Sequence, residues 1–269
     1  MRRRARKSYG LFVYAICYLA FLYLPVLFLP LFSFNNSMFI AFPLSGFTTH
    51  WYAQMFADHD VQRALLNSLK VGAAASIAAT LLGLPAAKAL TRYKLPGKGA
   101  WIGFVNLPLF IPEIVLGISL LIVLNTAQIP LSLATVVVGH VTVCVPFAIT
   151  VLMSRMEGFD PSLEEASQDL GENGWMTFLR VTLPLILPGI VSALLLSFMV
   201  SFDDFLIAYF LAGTQVTLPI YIWAQLRFPY KLPTVLALGA MILLVSCVLV
   251  VTAEWVRSLG QRGRVVVGA

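Results

Sequence analysis

Charge is scarce in this sequence. Charged residues make up 11% of its 269 positions, and hydrophobic residues make up 59%. Soluble domains carry roughly 25% charged residues, and the mean hydropathy here is +0.89. This composition excludes a soluble domain. The chain is predicted to be all-α, a single integral membrane domain that covers residues 1–269.

The chain also lacks the residue patterns of an enzyme or a metal protein. Its three cysteines stand in three separate apolar segments, and its three histidines have no metal-ligand spacing. No G-x-x-x-x-G-K-S/T phosphate loop occurs, so no nucleotide or other cofactor is expected on this chain. Apart from the adjacent Asp203 and Asp204, no residue pair has catalytic spacing. A membrane-embedded enzyme is therefore the least favoured hypothesis.

Long apolar segments are what the chain does have. Six of them are close to the ~20 residues that an α-helix needs to cross the hydrocarbon core. They are residues 9–34, 64–90, 101–124, 131–156, 185–211 and 233–256. The sequence thus predicts six transmembrane helices, with external loops at about 35–63 and 212–232.

Basic residues are shared unequally between the two sides of this topology. The richer side carries the basic residues at 2–7, 92–98, 155, 180 and 257–264, and the poorer side carries only Arg63, Arg227 and Lys231. The positive-inside rule places the richer side, with both termini, in the cytoplasm. The net charge of +6 is explained by this sidedness and by contact with the lipid bilayer, and no nucleic-acid partner is expected.

One predicted cytoplasmic loop, at about 157–184, is unusually polar and holds six of the twelve acidic residues. Asp160 is a good N-cap, and Pro161 suits the first position of a helix that runs to Leu170. Gly171 then supplies a left-handed residue, and Asn173 caps a second short helix that Pro184 closes. The pattern predicts a helix–turn–helix knob, apolar on one side, that is presented to a soluble partner.

The segments Glu165-Ala166-Ser167, Asp169-Leu170-Gly171 and Leu183-Pro184 resemble the EAA loop of permease subunits in ATP-binding-cassette (ABC) importers, with Ser167 in place of the usual second alanine. The resemblance implies the type I importer permease (MetI-like) fold and a bacterial inner membrane. The residues that it assigns to ATPase coupling are Glu164, Glu165, Ala166, Asp169, Gly171, Leu183 and Pro184. The partners that it implies are a second permease subunit, two cytoplasmic ATPase subunits that bind ATP and Mg²⁺, and a periplasmic substrate-binding protein.

Three acidic residues lie within predicted spans. A charge at a helix centre costs ~2.5–3.5 kcal/mol on insertion scales, so such residues usually face a cavity or a partner. In the predicted fifth span, Asp204 shares a helix face with small and polar residues and is predicted to line a wet path. Asp203 is then predicted to pair within the bundle or across a subunit interface. Lys70 could neutralise one acid, and the surplus negative charge, including Glu113, favours a cationic cargo.

The segments Ser201-Phe202-Asp203-Asp204-Phe205 and Pro112-Glu113-Ile114-Val115-Leu116-Gly117 resemble the spermidine/putrescine subgroup of these permeases. The resemblance implies a polyamine cargo, and phosphonate, opine or ferric iron remain alternatives because related subgroups share the pattern. Tyr209 and Trp223 could contact an ammonium group through their ring faces, or could belong to the aromatic belt of the membrane. An ion-gradient-driven carrier or channel, with the acids as proton or sodium sites, is the alternative function.

Overall fold

A computed structural model describes residues 9–262 of the chain, with side chains described for residues 9–248. Most of this part is helical. The helices are α1 (Tyr9–Ser33), α2 (His50–Ala57), α3 (His59–Arg92), α4 (Lys98–Phe110), α5 (Glu113–Thr126), α6 (Leu133–Glu157), α7 (Ser162–Asp169), α8 (Gly174–Thr177), α9 (Leu183–Asp203), α10 (Leu206–Leu211), α11 (Leu218–Gln225) and α12 (Leu232–Arg262). A π-helical segment, Phe178–Thr182, joins α8 to α9, and a 3-10 turn, Pro229–Lys231, precedes α12.

The number of membrane spans agrees with the prediction. Within the described residues, five helical segments are long and apolar enough to cross a membrane, and the pair α4 and α5 makes a sixth span when it is counted as one. The basic residues at 2–7 and the side chains of 257–264 lie outside the described part. The orientation that they indicate therefore stays a prediction.

The predicted third span, 101–124, is not one continuous helix. The chain is instead broken between α4 and α5, whose axes differ in direction by 94°. Ile111 has extended backbone angles, φ −83° and ψ 128°. Because Pro112 disfavours helical angles at the residue before it, Ile111 is where the helix must stop. The break places Glu113 at the start of α5.

The predicted fifth span, 185–211, is also wrong at both ends. The helical run begins at Gly174 and ends at Asp203, and α10 is a separate short helix. Pro184 does not close the second short helix as predicted. The Leu183 N–H donates to the carbonyl of Phe178, five residues earlier. This widened π turn gives the Pro184 ring room beside the preceding turn, so the chain stays helical through it.

The compact unit Asp60–Tyr221 is built on close packing of α3, α6 and α9. At Gly83 of α3, an added Cβ would lie 3.1 Å from Ala148 Cβ and 3.3 Å from the backbone nitrogen of Ile149 on α6. Glycine at this position therefore lets α3 and α6 approach each other closely. The core that they enclose consists of Ala79, Ala87, Cys144, Ala148, Leu152, Met156, Ile186 and Ala193.

The second compact unit is formed, among the described residues, by 9–59 and 222–262. In its described part, α12 packs against α1 and α2. The buried Asn35 organises the loop between α1 and α2, because its Oδ1 accepts a hydrogen bond from Ser45 N at 3.1 Å and its carbonyl accepts one from Trp51 Nε1 at 2.8 Å. The segment after α1 is thus an ordered loop within the predicted external region.

Candidate coupling loop and intramembrane acidic cluster

The loop between α6 and α9 forms the predicted knob, and its three turn residues are confirmed. Asp160 Oδ1 accepts a hydrogen bond from Ser162 N at 3.0 Å at the start of α7. The hydrogen bonds from Ser162 lower the pKa of the Asp160 carboxyl below its usual range. Gly171 has a φ of +92°, and Asn173 Oδ1 accepts from Met176 N at 2.9 Å to cap α8. Short-range capping therefore determines this local fold.

Glu164 is the coupling residue whose position differs from the prediction. It is buried, so it is not on a surface that a partner protein could touch. Its Oε2 lies 2.8 Å from Arg92 Nε at the end of α3, and its Oε1 accepts a hydrogen bond of 2.5 Å from Thr182 Oγ1. Glu164 thus fastens the knob to the membrane helices.

The other face of the knob is exposed and partly apolar. Leu170 is 88% exposed, and Leu163 and Trp175 are also well exposed. The remaining predicted coupling residues Glu165, Ala166, Asp169, Gly171 and Pro184 are exposed, whereas Leu183 is half-buried. Large exposed apolar groups beside polar ones are typical of a protein interaction surface.

The structure reverses the predicted surroundings of the two adjacent aspartates. Asp204 has extended backbone angles and lies between two helices, so the continuous polar stripe that predicted a wet path for it does not exist. Its Oδ1 accepts hydrogen bonds from Ile207 N at 3.0 Å and Ala208 N at 3.1 Å, which makes it the effective cap of α10. Asp203 is exposed and has no hydrogen-bond or ion-pair partner among the described side chains. The predicted pairing of Asp203 within the bundle is therefore wrong.

A buried histidine, which the sequence analysis did not select, lies next to Asp204. His140 Nε2 is 3.2 Å from Asp204 Oδ1, although not in hydrogen-bond geometry, and His140 Nδ1 is 2.6 Å from Ser201 Oγ. The same three residue types form hydrolytic triads, but a nucleophilic serine must be open to its substrate. Ser201 is buried. The cluster joins α6 to the break between α9 and α10 through His140. The i, i+3 spacing of Ser201 and Asp204 was its only signal in the sequence.

The remaining predicted path residues lie on three different helices. Glu113 is exposed at the first turn of α5 and interacts electrostatically with Asp204 and His140. Tyr209 on α10 and Trp223 on α11 are both about half exposed. Lys70 is exposed and forms no ion pair among the described side chains, so the hypothesis that it neutralises a buried acid is wrong. The described residues contain no group of three or more His, Cys, Asp or Glu side chains that could hold a metal ion.

Comparison with protein families shows one match over most of the chain. Residues 79–258 match the family described as "Binding-protein-dependent transport system inner membrane component". The spermidine/putrescine transport system permease protein PotC of Escherichia coli K12 is 33% identical over 223 residues, which are 82% of this chain and 84% of that protein. The PotC protein of Haemophilus influenzae is 32% identical over 93% of this chain and 95% of its own length. The putrescine transport system permease protein PotI of Escherichia coli K12 is 33% identical over 79% and 78%.

Solved structures show the same fold at low sequence identity. A chain of a bacterial ABC transporter that imports the acidic polysaccharide alginate superposes with a TM-score of 0.70 at 14% identity, over 95% of this chain and 98% of that one. A second structure of a bacterial alginate ABC transporter, in complex with an alginate pentasaccharide-bound periplasmic protein, gives a TM-score of 0.63 at 18% identity, over 88% and 90%. At these identities, the likeness concerns the fold alone.

Proposed function

Because this chain belongs to the family of binding-protein-dependent transport system inner membrane components, and so is an inner-membrane permease subunit of an ABC importer, we propose that it forms half of the translocation path for a small cationic solute such as spermidine or putrescine. As a permease, the chain is a transport subunit and not an enzyme. The family assignment does not favour the alternative of a carrier driven by an ion gradient.

The proposed partners follow from the knob and from what the chain lacks. The exposed apolar face around Leu170 is the surface for a cytoplasmic ATPase. Because this chain has no phosphate loop, ATP and Mg²⁺ would be bound by two such ATPase subunits. A second permease subunit would complete the path, and a periplasmic binding protein would deliver the solute. In this cycle, ATP closes the ATPase pair, the knob moves with it, and the helices open the path outward. Hydrolysis then restores the inward-open state.

The exposed carboxylates support the cationic cargo. Asp203 and Glu113 are both exposed, and Asp203 has no hydrogen-bond or ion-pair partner among the described side chains. An unpaired carboxylate in a membrane attracts an ammonium group and repels an anion such as a phosphonate. The names of the relatives PotC and PotI support the same cargo class. Tyr209 and Trp223 add exposed aromatic faces that could contact an ammonium group.

Copurification and uptake test this proposal. The chain is tagged, expressed with its neighbouring genes and purified in detergent. We expect a P-loop ATPase and a second six-span permease to copurify. In vesicles that contain the purified assembly and its binding protein, uptake of radiolabelled putrescine or spermidine should require ATP. A lone homo-oligomer that transports without ATP would refute the proposal in favour of a gradient-driven carrier. ATP-dependent uptake of an anion only would refute the cargo.

A pair of proline substitutions tests the coupling role of the knob. Gly171→Pro should leave the protein inserted but uncouple transport, because proline cannot adopt a φ of +92° and the Gly171 N–H donates to the carbonyl of Gln168 at 2.9 Å. Gly174→Pro is the matched control, since Gly174 is the first residue of α8, a position that tolerates proline. Normal uptake by Gly171→Pro, or equal losses in both variants, would contradict the coupling role.

A further inference from the structure

The ion pair between Arg92 and Glu164 joins the knob to α3, and we propose that it carries the motion of the knob into that helix. Arg92 and Glu164 are then positioning residues that set how much solute is moved for each ATP hydrolysed. The inference rests on the proposed function of the knob as the contact with an ATPase. Beyond that function, it identifies α3 as the membrane helix that receives the motion, and Arg92 Nε and Glu164 Oε2 as the atoms that transmit it.

Both partners of this ion pair are shielded from solvent, and each makes a second polar contact. The side chains of Arg92 and Glu164 are 14% and 12% exposed, and Nε and Oε2 are 2.8 Å apart. Arg92 Nη2 also donates to the carbonyl of Met156 at the end of α6, at 2.9 Å, and the guanidinium lies 4.3 Å from the centre of the Phe159 ring. The second carboxylate oxygen of Glu164 accepts the hydrogen bond from Thr182. The ends of α3 and α6, helix α7 and the π-helical segment therefore meet at this ion pair.

The other ion pairs of this region are weaker by the same criteria. The pair Arg180–Glu172 lies within the knob, but its side chains are 65% and 28% exposed. Lys98 and Glu157 are 3.9 Å apart and both well exposed. Exposed pairs contribute little because solvent screens them, whereas separating a shielded pair leaves a charge without compensation. Among the described ion pairs of the knob, only Arg92–Glu164 resists separation strongly enough to transmit a displacement.

The end of α3 is suited to receive that displacement. Lys88, one turn before Arg92, lies 4.6 Å from the centre of the Phe178 ring in the π segment. The widened turn of the π segment also carries Thr182, whose hydroxyl contacts Glu164. Further along α3, Gly83 lets the helix pack closely against the backbone of α6, beside the buried Ala79 and Ala87. A displacement of α7 is therefore expected to move α3 as well, because the last turn of α3 contacts a carboxylate, an aromatic ring and a backbone carbonyl.

The test compares the shielded pair with the exposed pair in the same loop. Glu164→Gln keeps the shape of the side chain but removes its charge, whereas Arg92→Lys keeps the charge but removes the Nε and Nη2 donors. Glu172→Gln and Arg180→Lys are the matched controls. Each variant is purified as the whole complex with its ATPase and reconstituted with the binding protein. Three quantities are measured: the amount of copurified ATPase, the rate of ATP hydrolysis, and the uptake of radiolabelled putrescine. The decisive value is uptake per ATP hydrolysed.

We expect Glu164→Gln to assemble normally and to hydrolyse ATP, with uptake per ATP reduced about tenfold or more, because a shielded charge-assisted contact is lost. Arg92→Lys should act in the same direction, and the double variant should be no worse than Glu164→Gln alone. The controls should stay within about twofold. An unchanged ratio in both variants would overturn the inference, as would loss of assembly in both, which would make the pair structural only. If the unmodified chain copurifies no ATPase, the proposed function fails instead.

Discussion

The cap at Asp204 gives the sharpest prediction about the membrane part of the molecule. Asp204→Ala would remove the acceptor of two backbone N–H groups, those of Ile207 and Ala208, at 3.0 and 3.1 Å. It would also leave His140 Nε2, now 3.2 Å from the carboxylate, without a charged neighbour in a buried position. Asp204→Asn would keep an amide oxygen at the same place. The two variants therefore separate the cap from the charge.

The expected magnitudes follow from the contacts. Replacing an N-cap by alanine costs about 0.5–2 kcal/mol. Side-chain hydrogen bonds inside membrane proteins average about 0.6 kcal/mol and reach about 1.7 kcal/mol. With two backbone donors and a buried imidazole left uncompensated, we expect Asp204→Ala to lower the free energy of unfolding by about 2–3 kcal/mol. Asparagine is as good a cap as aspartate, so Asp204→Asn should cost less than about 1 kcal/mol.

Unfolding of the purified permease in mild detergent, induced by increasing amounts of a denaturing detergent, measures both values. The same titration on His140→Ala and on the double variant His140→Ala/Asp204→Ala completes a double-mutant cycle. The cycle should show coupling between the two residues, because they are in contact. Equal destabilisation by Asp204→Ala and Asp204→Asn would show that the charge rather than the cap holds α10. Additive effects of His140→Ala and Asp204→Ala would refute the cluster as a unit.

Three further predictions follow from single residues. Asp203→Asn should raise the apparent KM for putrescine uptake by up to about fivefold without destabilising the protein, since Asp203 is exposed; an unchanged KM would remove it from the path. Gly139→Ala should lower the free energy of unfolding by about 1–3 kcal/mol, because the added Cβ would lie 2.6 Å from both Ile207 Cγ2 and Leu211 Cδ1. The control Gly103→Ala, with open space around its Cβ, should be neutral or stabilising. The pKa of Asp160 is lowered in the folded loop, so its cap is present at neutral pH and is lost as the pH falls through that pKa. Hydrogen exchange at the Ser162 amide should report this loss of protection. In Asp160→Asn, which has no carboxyl group to titrate at this position, the pH dependence of the cap should disappear.

The knob could be predicted from the sequence because its structure depends on near neighbours. Asp160, Gly171 and Asn173 each act within three residues of their own position, through a cap or a left-handed turn. The number of spans could be predicted for a similar reason, since apolar length alone determines whether a helix can cross the membrane. The family resemblance was carried by the same local segments.

The two helix breaks and the contacts of the acids depend on residues far apart in the chain. Asp204 ends a helix where the apolar pattern continues, and it is accompanied there by His140, 64 positions earlier in the numbering. Glu164 is a first-turn acid by its spacing, and only the packing of Arg92 against it shows that it is buried. Sequence periodicity describes which face of a helix is apolar, but not which polar residue finds a partner on another helix.

The break at Ile111 has a consequence for biogenesis. Helix ends carry N–H and C=O groups without partners in their own helix, and lipid cannot satisfy them. Protein or enclosed water must therefore cover the peptide units between α4 and α5, and under the proposed pairing with a second permease we expect the partner to supply part of this cover. If the proposed pairing holds, assembly is a condition of stable residence in the bilayer rather than a step that follows it. In a pulse-chase experiment, the chain made without its companion permease should be degraded faster than the paired chain, and equal half-lives would contradict this dependence.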